Sequence, residues 1–371
     1  MFKLHVVQAK YGDALIMSFG TPAKPRHILI DGGPSGNYAV SLEAALERIV
    51  GKGGQLDLVV LSHVDNDHVI GLLDLLAAVE EDQVSDRSPR TKIAGLWHNS
   101  FERTIDPTGV AAQQMQAIMT MAGAAKLTTP LATDTLETLY GIKEGNRLRL
   151  MARKLNIPTN KGFKDDVLLV EAAKAPIKFG PLALKIAGPN KTNLKALQTA
   201  WLQWLEEAAQ KIANDPATAA MSDQSMPNLS SIVLFAECGG KTILFTGDAR
   251  GDHIIEGLQT AKLLKKGKLH VDVLKVQHHG SHRNTTPDFF NTVTADTYVL
   301  SADGRHGNPK FDTMKWIVET ARHRQRPITL VATNETETII ELQKKLPPSG
   351  YGYTLRLLPE DEHSIEIALS A

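Results

Sequence analysis

Ser62-His63-Val64-Asp65-Asn66-Asp67-His68 places two imidazoles and two carboxylates within a six-residue stretch. Nitrogen and oxygen donors of these kinds suit divalent cations, and the segment lies between an apolar run, Leu58 to Leu61, and a helical pattern. A strand-to-helix turn there would fan the four side chains toward one point; a solvated polar turn is the competing reading. Thr246-Gly247-Asp248 closes a second apolar run, Thr242 to Phe245. One carboxylate at that place has two oxygens and can bridge two cations, although an aspartate ahead of a helix also serves as an N-cap. The third cluster, Gln277-His278-His279-Gly280-Ser281-His282, follows Val271 to Val276. In an extended chain adjacent histidines point apart, so His278, nearest the strand end, is the expected ligand and His279 is left to face a substrate. Local hydrogen bonding of both rings is the alternative. Each cluster alone has an ordinary explanation, but three at three strand ends are much harder to dismiss.

The elements needed to carry these turns alternate between strand and helix. Leu4 to Val7, Ala14 to Phe19, His27 to Ile30, Leu56 to Leu61 and Ile93 to Trp97 read as strands, with helical periodicity over Ala39 to Val50 and Val69 to Val79. Strands at Ser231 to Ala236 and Thr242 to Phe245 are joined by Cys238-Gly239-Gly240, which is hairpin chemistry. Helix 252–261, strand 271–276, helix 287–293, strand 296–301 and helix 311–323 follow, and strands near 328–332, 337–342, 351–357 and 364–369 close the chain. Between about 101 and 225 the pattern is less regular: a helical stretch from Gly109 to Ala125, a hairpin over Val167 to Ala187 and a helix over Lys195 to Asn214. We read this as a largely helical insertion in a single domain spanning 1–371, an α/β protein whose two-part layout suggests sheets packed face to face with helices outside.

Hydrophobic residues at 42% and charged residues at 22% of 371 are enough for a substantial core and exclude a disordered chain. Lys plus Arg and Asp plus Glu are 41 each, so no global field draws nucleic acid or an anionic membrane, and polyanion binding must come from a local patch. Three basic clusters qualify: Lys262, Lys265, Lys266 and Lys268; Arg147, Arg149, Arg153 and Lys154; and Arg322, Arg324 and Arg326; solvated faces are the alternative for each. The single cysteine, Cys238, excludes intramolecular disulfides, and neither a signal peptide nor an 18-residue apolar run is read, so the expected place is the cytoplasm, with no membrane partner.

In motif order the chain resembles the metallo-β-lactamase superfamily, and more narrowly the hydrolase domain of ComEC-type competence proteins. The resemblance rests on Ser62 to His68, Asp31-Gly32-Gly33, Gly247-Asp248 and His278 to Ser281, and covers 1–100 and 226–310. It implies an αββα sandwich of two mixed β-sheets flanked by helices. It also implies two divalent metal ions, zinc or manganese: His63 and Asp65 would hold one, Asp67, His68 and His278 the other, and Asp248 would bridge, with Asp31 supporting from beside the site. Two departures bear on the metal. Asp65 stands where the more familiar pattern has histidine, and Asn228-Leu229-Ser230 stands where a third-motif histidine is usual. Oxygen-rich coordination favours harder ions such as manganese or magnesium. Gly304-Arg305-His306-Gly307-Asn308-Pro309 replaces a Gly-His-Pro of the ComEC type, with His306 displaced.

The function expected is a metal-dependent hydrolase, a phosphodiesterase or nuclease using a metal-activated water on a phosphate ester, nucleic acid or nucleotide. Asp67 would orient the nucleophile, and His279 or His306 would donate a proton or stabilise developing charge. Two other readings stay open: hydrolysis of a small ester, thioester or lactam, selected by a lid formed from 101–225, and a metal-poor binding module without catalysis.

Overall fold

The computed structural model describes residues 1–100, 143–173, 175–214 and 230–369, with isolated positions 104, 106, 109 and 113–114. Most of the helix expected over Gly109 to Ala125, and Asn228 and Leu229, lie outside the described residues.

Two mixed sheets pack face to face. In the first, β1 (Phe2–Val7), β2 (Leu15–Thr21) and β3 (Lys24–Ile30) form an antiparallel meander. It continues in parallel through β5 (Leu58–Val60) and β7 (Leu96–Trp97). Two short strands, β4 (Gln55–Leu56) and β6 (Lys92–Ile93), pair separately, so the single strand expected over Ile93 to Trp97 is split. The second sheet has eight strands. Its antiparallel part is β8 (Ile177–Phe179), β9 (Leu182–Gly188), β10 (Val233–Cys238) and β11 (Lys241–Phe245). Its parallel part adds β12 (Leu269–Lys275), β13 (Val293–Leu300), β14 (Ile328–Ala332) and β15 (Tyr353–Leu357). The last strand, β16 (Ser364–Ala368), crosses back to pair with β1. The hairpin read within 101–225 is therefore built into the second sheet, with β9 pairing directly on β10.

Alternation in the strands sorts side chains between layers. In β3, Ile28 and Ile30 enter the core between the sheets while Leu29 faces the outer layer; Leu58 and Val60 of β5 do the same around Val59. Each fully buried side chain of this kind contributes about 1.5–3 kcal/mol. The outer layer on the first sheet comes from α1 (Glu43–Ile49), α2 (Asn66–Val84), the helix at 143–154 and the helix Lys191–Asn214. On the second sheet it comes from helices Gly251–Thr260, Pro287–Thr292, Phe311–His323 and Glu337–Lys345. The result is the αββα sandwich.

One expectation is corrected: 337–342 is helix, not strand. The Thr336 hydroxyl accepts a hydrogen bond from the Ile339 amide, Glu337 lies in the first turn and Lys344 and Lys345 in the last, and Ile339 and Leu342 are buried on one face. These end signals outweigh the β-branched run Thr338-Ile339-Ile340.

A backbone crossing seats α2. A Cβ on Gly71 would lie 1.9 Å from the Gly32 carbonyl oxygen, and one on Gly32 would lie 2.3 Å from the Leu72 amide nitrogen. Only glycine permits this approach, which is tied by hydrogen bonds from Gly32 N–H to the His68 carbonyl and from Gly71 N–H to the Gly33 carbonyl. It brings the first turn of α2 against Asp31.

Candidate metal centre

The turn after β5 and the start of α2 meet the turns after β11 and β12 at one edge of the sandwich. Asp248 is buried at their centre. Its Oδ1 lies 3.5 Å from His68 Nε2, and its Oδ2 lies 3.5 Å from His279 Nε2, 3.6 Å from His278 Nε2 and 3.8 Å from His63 Nε2. Asp65 Oδ2 is 3.4 Å from His63 Nε2. Asp67 Oδ2 is 3.3 Å from His279 Nε2 and 3.8 Å from His68 Nε2. The structure thus brings together His63, Asp65, Asp67, His68, Asp248, His278 and His279. His306 stands apart, exposed on its loop, where its carbonyl accepts from Lys310 Nζ.

The capping alternative for Asp248 is excluded. Arg250, not Asp248, is the N-cap of the helix Gly251–Thr260, and Asp65 occupies the N-cap of α2 without a side-chain capping bond, so both carboxylates are available to the cluster.

The chain after β12 does not stay extended. His278, His279 and Gly280 have φ of 47°, 53° and 84°, a left-handed run that is costly for the two histidines and turns both rings toward Asp248. The sequence reading gave His278 to the group of Asp67 and His68. In the structure the Nε2 beside Asp67 is that of His279, which is buried, while His278 approaches Asp248 with 28% of its side chain exposed.

Hydrogen bonds on the far side of each ring settle which nitrogen carries the proton. Asp31 accepts from the Ser62 amide and hydroxyl, both at 2.7 Å, and from His68 Nδ1 at 2.9 Å. A carboxylate only accepts, so His68 Nδ1 bears hydrogen. The Ser62 hydroxyl, already donating to Asp31, accepts from His63 Nδ1 at 3.0 Å. His279 Nδ1 donates to the Ser301 carbonyl at 3.0 Å. Asn284 donates its amide to the Asp248 carbonyl at 3.0 Å, and its Oδ1 accepts from His278 Nδ1 at 2.6 Å. Four imidazoles are therefore held with Nε2 toward Asp248.

This fits a divalent ion. The Nε2 atoms of His63, His68 and His279 and Oδ1 of Asp248 are buried with no hydrogen-bond partner, a cost that a cation would relieve. With the ion left out, burial lowers the basicity of His68 and His279 but the surrounding carboxylates more than reverse this, holding both well above the usual histidine range. His63 is raised by the same opposition, with Asp65 and Asp248 as its anions. Asp67 is held at about 2: burial pushes it up, and His68 and His279 pull it down further.

Two site residues escaped the sequence reading. Asp13, in the turn between β1 and β2, and Lys275, at the end of β12, are each 1% exposed and pair at 2.7 Å; the other oxygen of Asp13 lies 3.5 Å from His279 Nδ1. The available signal was a charge embedded in apolar sequence: Asp13 directly precedes Ala14 to Phe19, and Lys275 interrupts Val271 to Val276. The basic clusters are partly engaged within the chain. Lys154 pairs with Glu80, Arg147 with Glu144 and Arg326 with Asp296, and Lys268 and Arg324 both donate to the Asn291 carbonyl.

Residues 25–112, which span both Asp31-Gly32-Gly33 and the Ser62 to His68 turn, match the family model of the metallo-beta-lactamase superfamily. Over this segment the chain is similar to the metallo-β-lactamase superfamily. Members of this superfamily are mostly metal-dependent hydrolases. A stretch of 117 residues is 31% identical to ComE operon protein 3 of Bacillus subtilis (strain 168), covering 32% of this chain and 14% of that protein's length. Among solved structures, the metallo-beta-lactamase fold protein YhfI from Bacillus subtilis is 12% identical with a TM-score of 0.44, covering 99% of each chain. Zn(2+)-bound PqqB from Methylobacterium extorquens is 10% identical with a TM-score of 0.42, covering 99% of this chain and 100% of that one. No helix among the described residues is long and apolar enough to cross a membrane.

Proposed function

We propose that this protein is a metal-dependent phosphodiesterase or nuclease of the cytoplasm. One observation carries the reading: four imidazoles fixed with Nε2 toward a single buried aspartate, flanked by two further carboxylates. Asp67, His68 and His279 would hold one divalent cation, His63, Asp65 and His278 the other, with Asp248 between; zinc and manganese both suit this mixed donor set. When bound, such a pair supplies a water of lowered pKa and neutralises charge on the attacking and leaving oxygens of an in-line displacement, which matches a phosphate diester.

The chain's own groups then position the reaction. Asp248 stays ionised, held far below the usual carboxylate range by His279, His278 and His68 despite burial. Asp67, 23% exposed, accepts a hydrogen bond from the attacking water and aims it.

The test is cleavage of bis-p-nitrophenyl phosphate and of single- and double-stranded DNA and RNA by protein loaded with manganese or zinc. Wild type is expected to turn over at least one of them and His68→Ala to lose roughly 100-fold or more. A loaded protein that cleaves none of these yet hydrolyses a lactam or thioester would place it in another branch of the superfamily.

A further inference from the structure

The carboxylate of Asp13 and the ammonium of Lys275 are buried in the same place, 1% exposed each, although neither faces solvent or substrate. Burying two charges is costly before their attraction is counted, and a pair of apolar side chains of similar volume fills such space as well or better. A pair kept for stability alone is therefore an expensive choice, and its geometry suggests another use. Asp13 Oδ2 takes the Lys275 ammonium at 2.7 Å, and Lys275 also donates to the Val276 carbonyl at 2.9 Å, just before the turn that carries His278 and His279. Asp13 Oδ1 has no hydrogen-bond partner of its own and lies 3.5 Å from His279 Nδ1.

The arrangement parallels one on the opposite side of the cluster. There Asp31 accepts from His68 Nδ1, leaving Nε2 toward Asp248. For His279 the Nδ1 proton goes to the Ser301 carbonyl, with the Asp13 carboxylate 3.5 Å from the same nitrogen as a nearby negative charge, and Ser301 is itself fastened by its hydroxyl to the carbonyl of Gly12, next to Asp13. The turn after β1 and the ends of β12 and β13 thus close on one ring.

We propose that Asp13, neutralised by Lys275, is a positioning residue that orients His279 and raises the donor strength of its Nε2 toward a divalent cation. Lys275 keeps the added carboxylate from changing the charge of the centre. The proposal rests on the metal-centre reading above, and its test separates the two.

The decisive variant is Asp13→Leu/Lys275→Met, which removes one negative and one positive charge together, so the net charge near the site is unchanged. Manganese and zinc affinities would be measured by competition with a chromophoric chelator, beside the thermal midpoint of the metal-free protein and the visible spectrum of the cobalt-loaded form. The expected result is a metal-free midpoint close to wild type, affinity lowered roughly 10- to 100-fold and an altered cobalt spectrum. Wild-type affinity and spectrum in a folded double variant would overturn the proposal and leave the pair as a tie between sheets. Should the double variant fail to fold, Asp13→Asn with Lys275 retained gives the same readouts, and unchanged affinity there overturns it equally. Failure of the wild type to bind any of these metals would instead sink the metal centre itself.

Discussion

His68 donates from Nδ1 to Asp31 at 2.9 Å and turns Nε2 to Asp248 at 3.5 Å, so one imidazole joins a carboxylate that follows β3 to a carboxylate that follows β11. Asp31 also holds the amide and hydroxyl of Ser62, and the Ser62 hydroxyl in turn holds His63. The two histidines of the first motif thus depend on one buried side chain that is not itself in the cluster.

Asp31→Ala should therefore act on both folding and metal. Loss of three buried hydrogen bonds to a charged acceptor is expected to cost about 3 kcal/mol or more of stability and to weaken metal binding by roughly 10- to 100-fold. Urea unfolding and chelator competition measure the two effects; a variant that keeps wild-type affinity would show that Asp31 is only a turn residue.

Gly71→Ala tests the seat of α2. Its new Cβ would sit 1.9 Å from the Gly32 carbonyl oxygen, backbone against backbone, and the expected loss is about 3 kcal/mol or more, with disturbed metal binding. Gly36→Ala is the control: it has positive φ, at 76°, but nothing within 4 Å, and should cost about 1 kcal/mol. Equal midpoints for the two variants would contradict the crossing as described.

Metal binding should release protons. The carboxylates raise His68 and His279 well above the usual histidine range, so a cation taking their Nε2 lone pairs competes with protons. Calorimetry in buffers of different ionisation enthalpy is expected to show protons released on metal binding at pH 7, and affinity should fall as pH drops. Binding with no buffer dependence would contradict this. In the same titrations His279→Ala should lose a cation, whereas His306→Ala, on its exposed loop, should keep wild-type stoichiometry.

Stability itself should fall on mild acidification. Burial pushes His5 down to about 4 against the opposing pull of Glu366, and burial together with Arg149 pushes His98 to about 4. Above pH 6.5 neither group binds a proton in the folded or unfolded chain. Between 6.5 and about 4 the unfolded chain takes up protons that the folded one refuses, so stability drops as pH falls, by up to about 3 kcal/mol for each group. Denaturant midpoints from pH 7 to 4 check this in metal-free protein, and His5→Gln should flatten the slope.

Much of the cluster was readable because its side chains come in short groups at strand ends, where one apolar run and one turn suffice to place them. His63, Asp65, Asp67, His68 and Asp248 belong to that class. The aim of His278 and His279 was not readable from alternation, since it depends on three successive left-handed residues of which only Gly280 announces a turn. Asp13 and Lys275 contribute one side chain each from distant strands, and their meaning exists only once the sheets have packed. The helix Glu337–Lys345 was hidden by its β-branched start and revealed by its cap, and the pairing of β9 on β10 was obscured by 44 intervening residues, many of them helical.

Asp248 gathers imidazoles from the turn that ends β5 and from the turn that ends β12, which makes a filled centre a rivet through the two halves of the sandwich. Ligand-linked stabilisation at a hundredfold excess over the dissociation constant is about 2.7 kcal/mol. Starving the protein of its ion would then loosen the joint between halves first, so that susceptibility to proteolysis, and with it cellular abundance, would track metal supply.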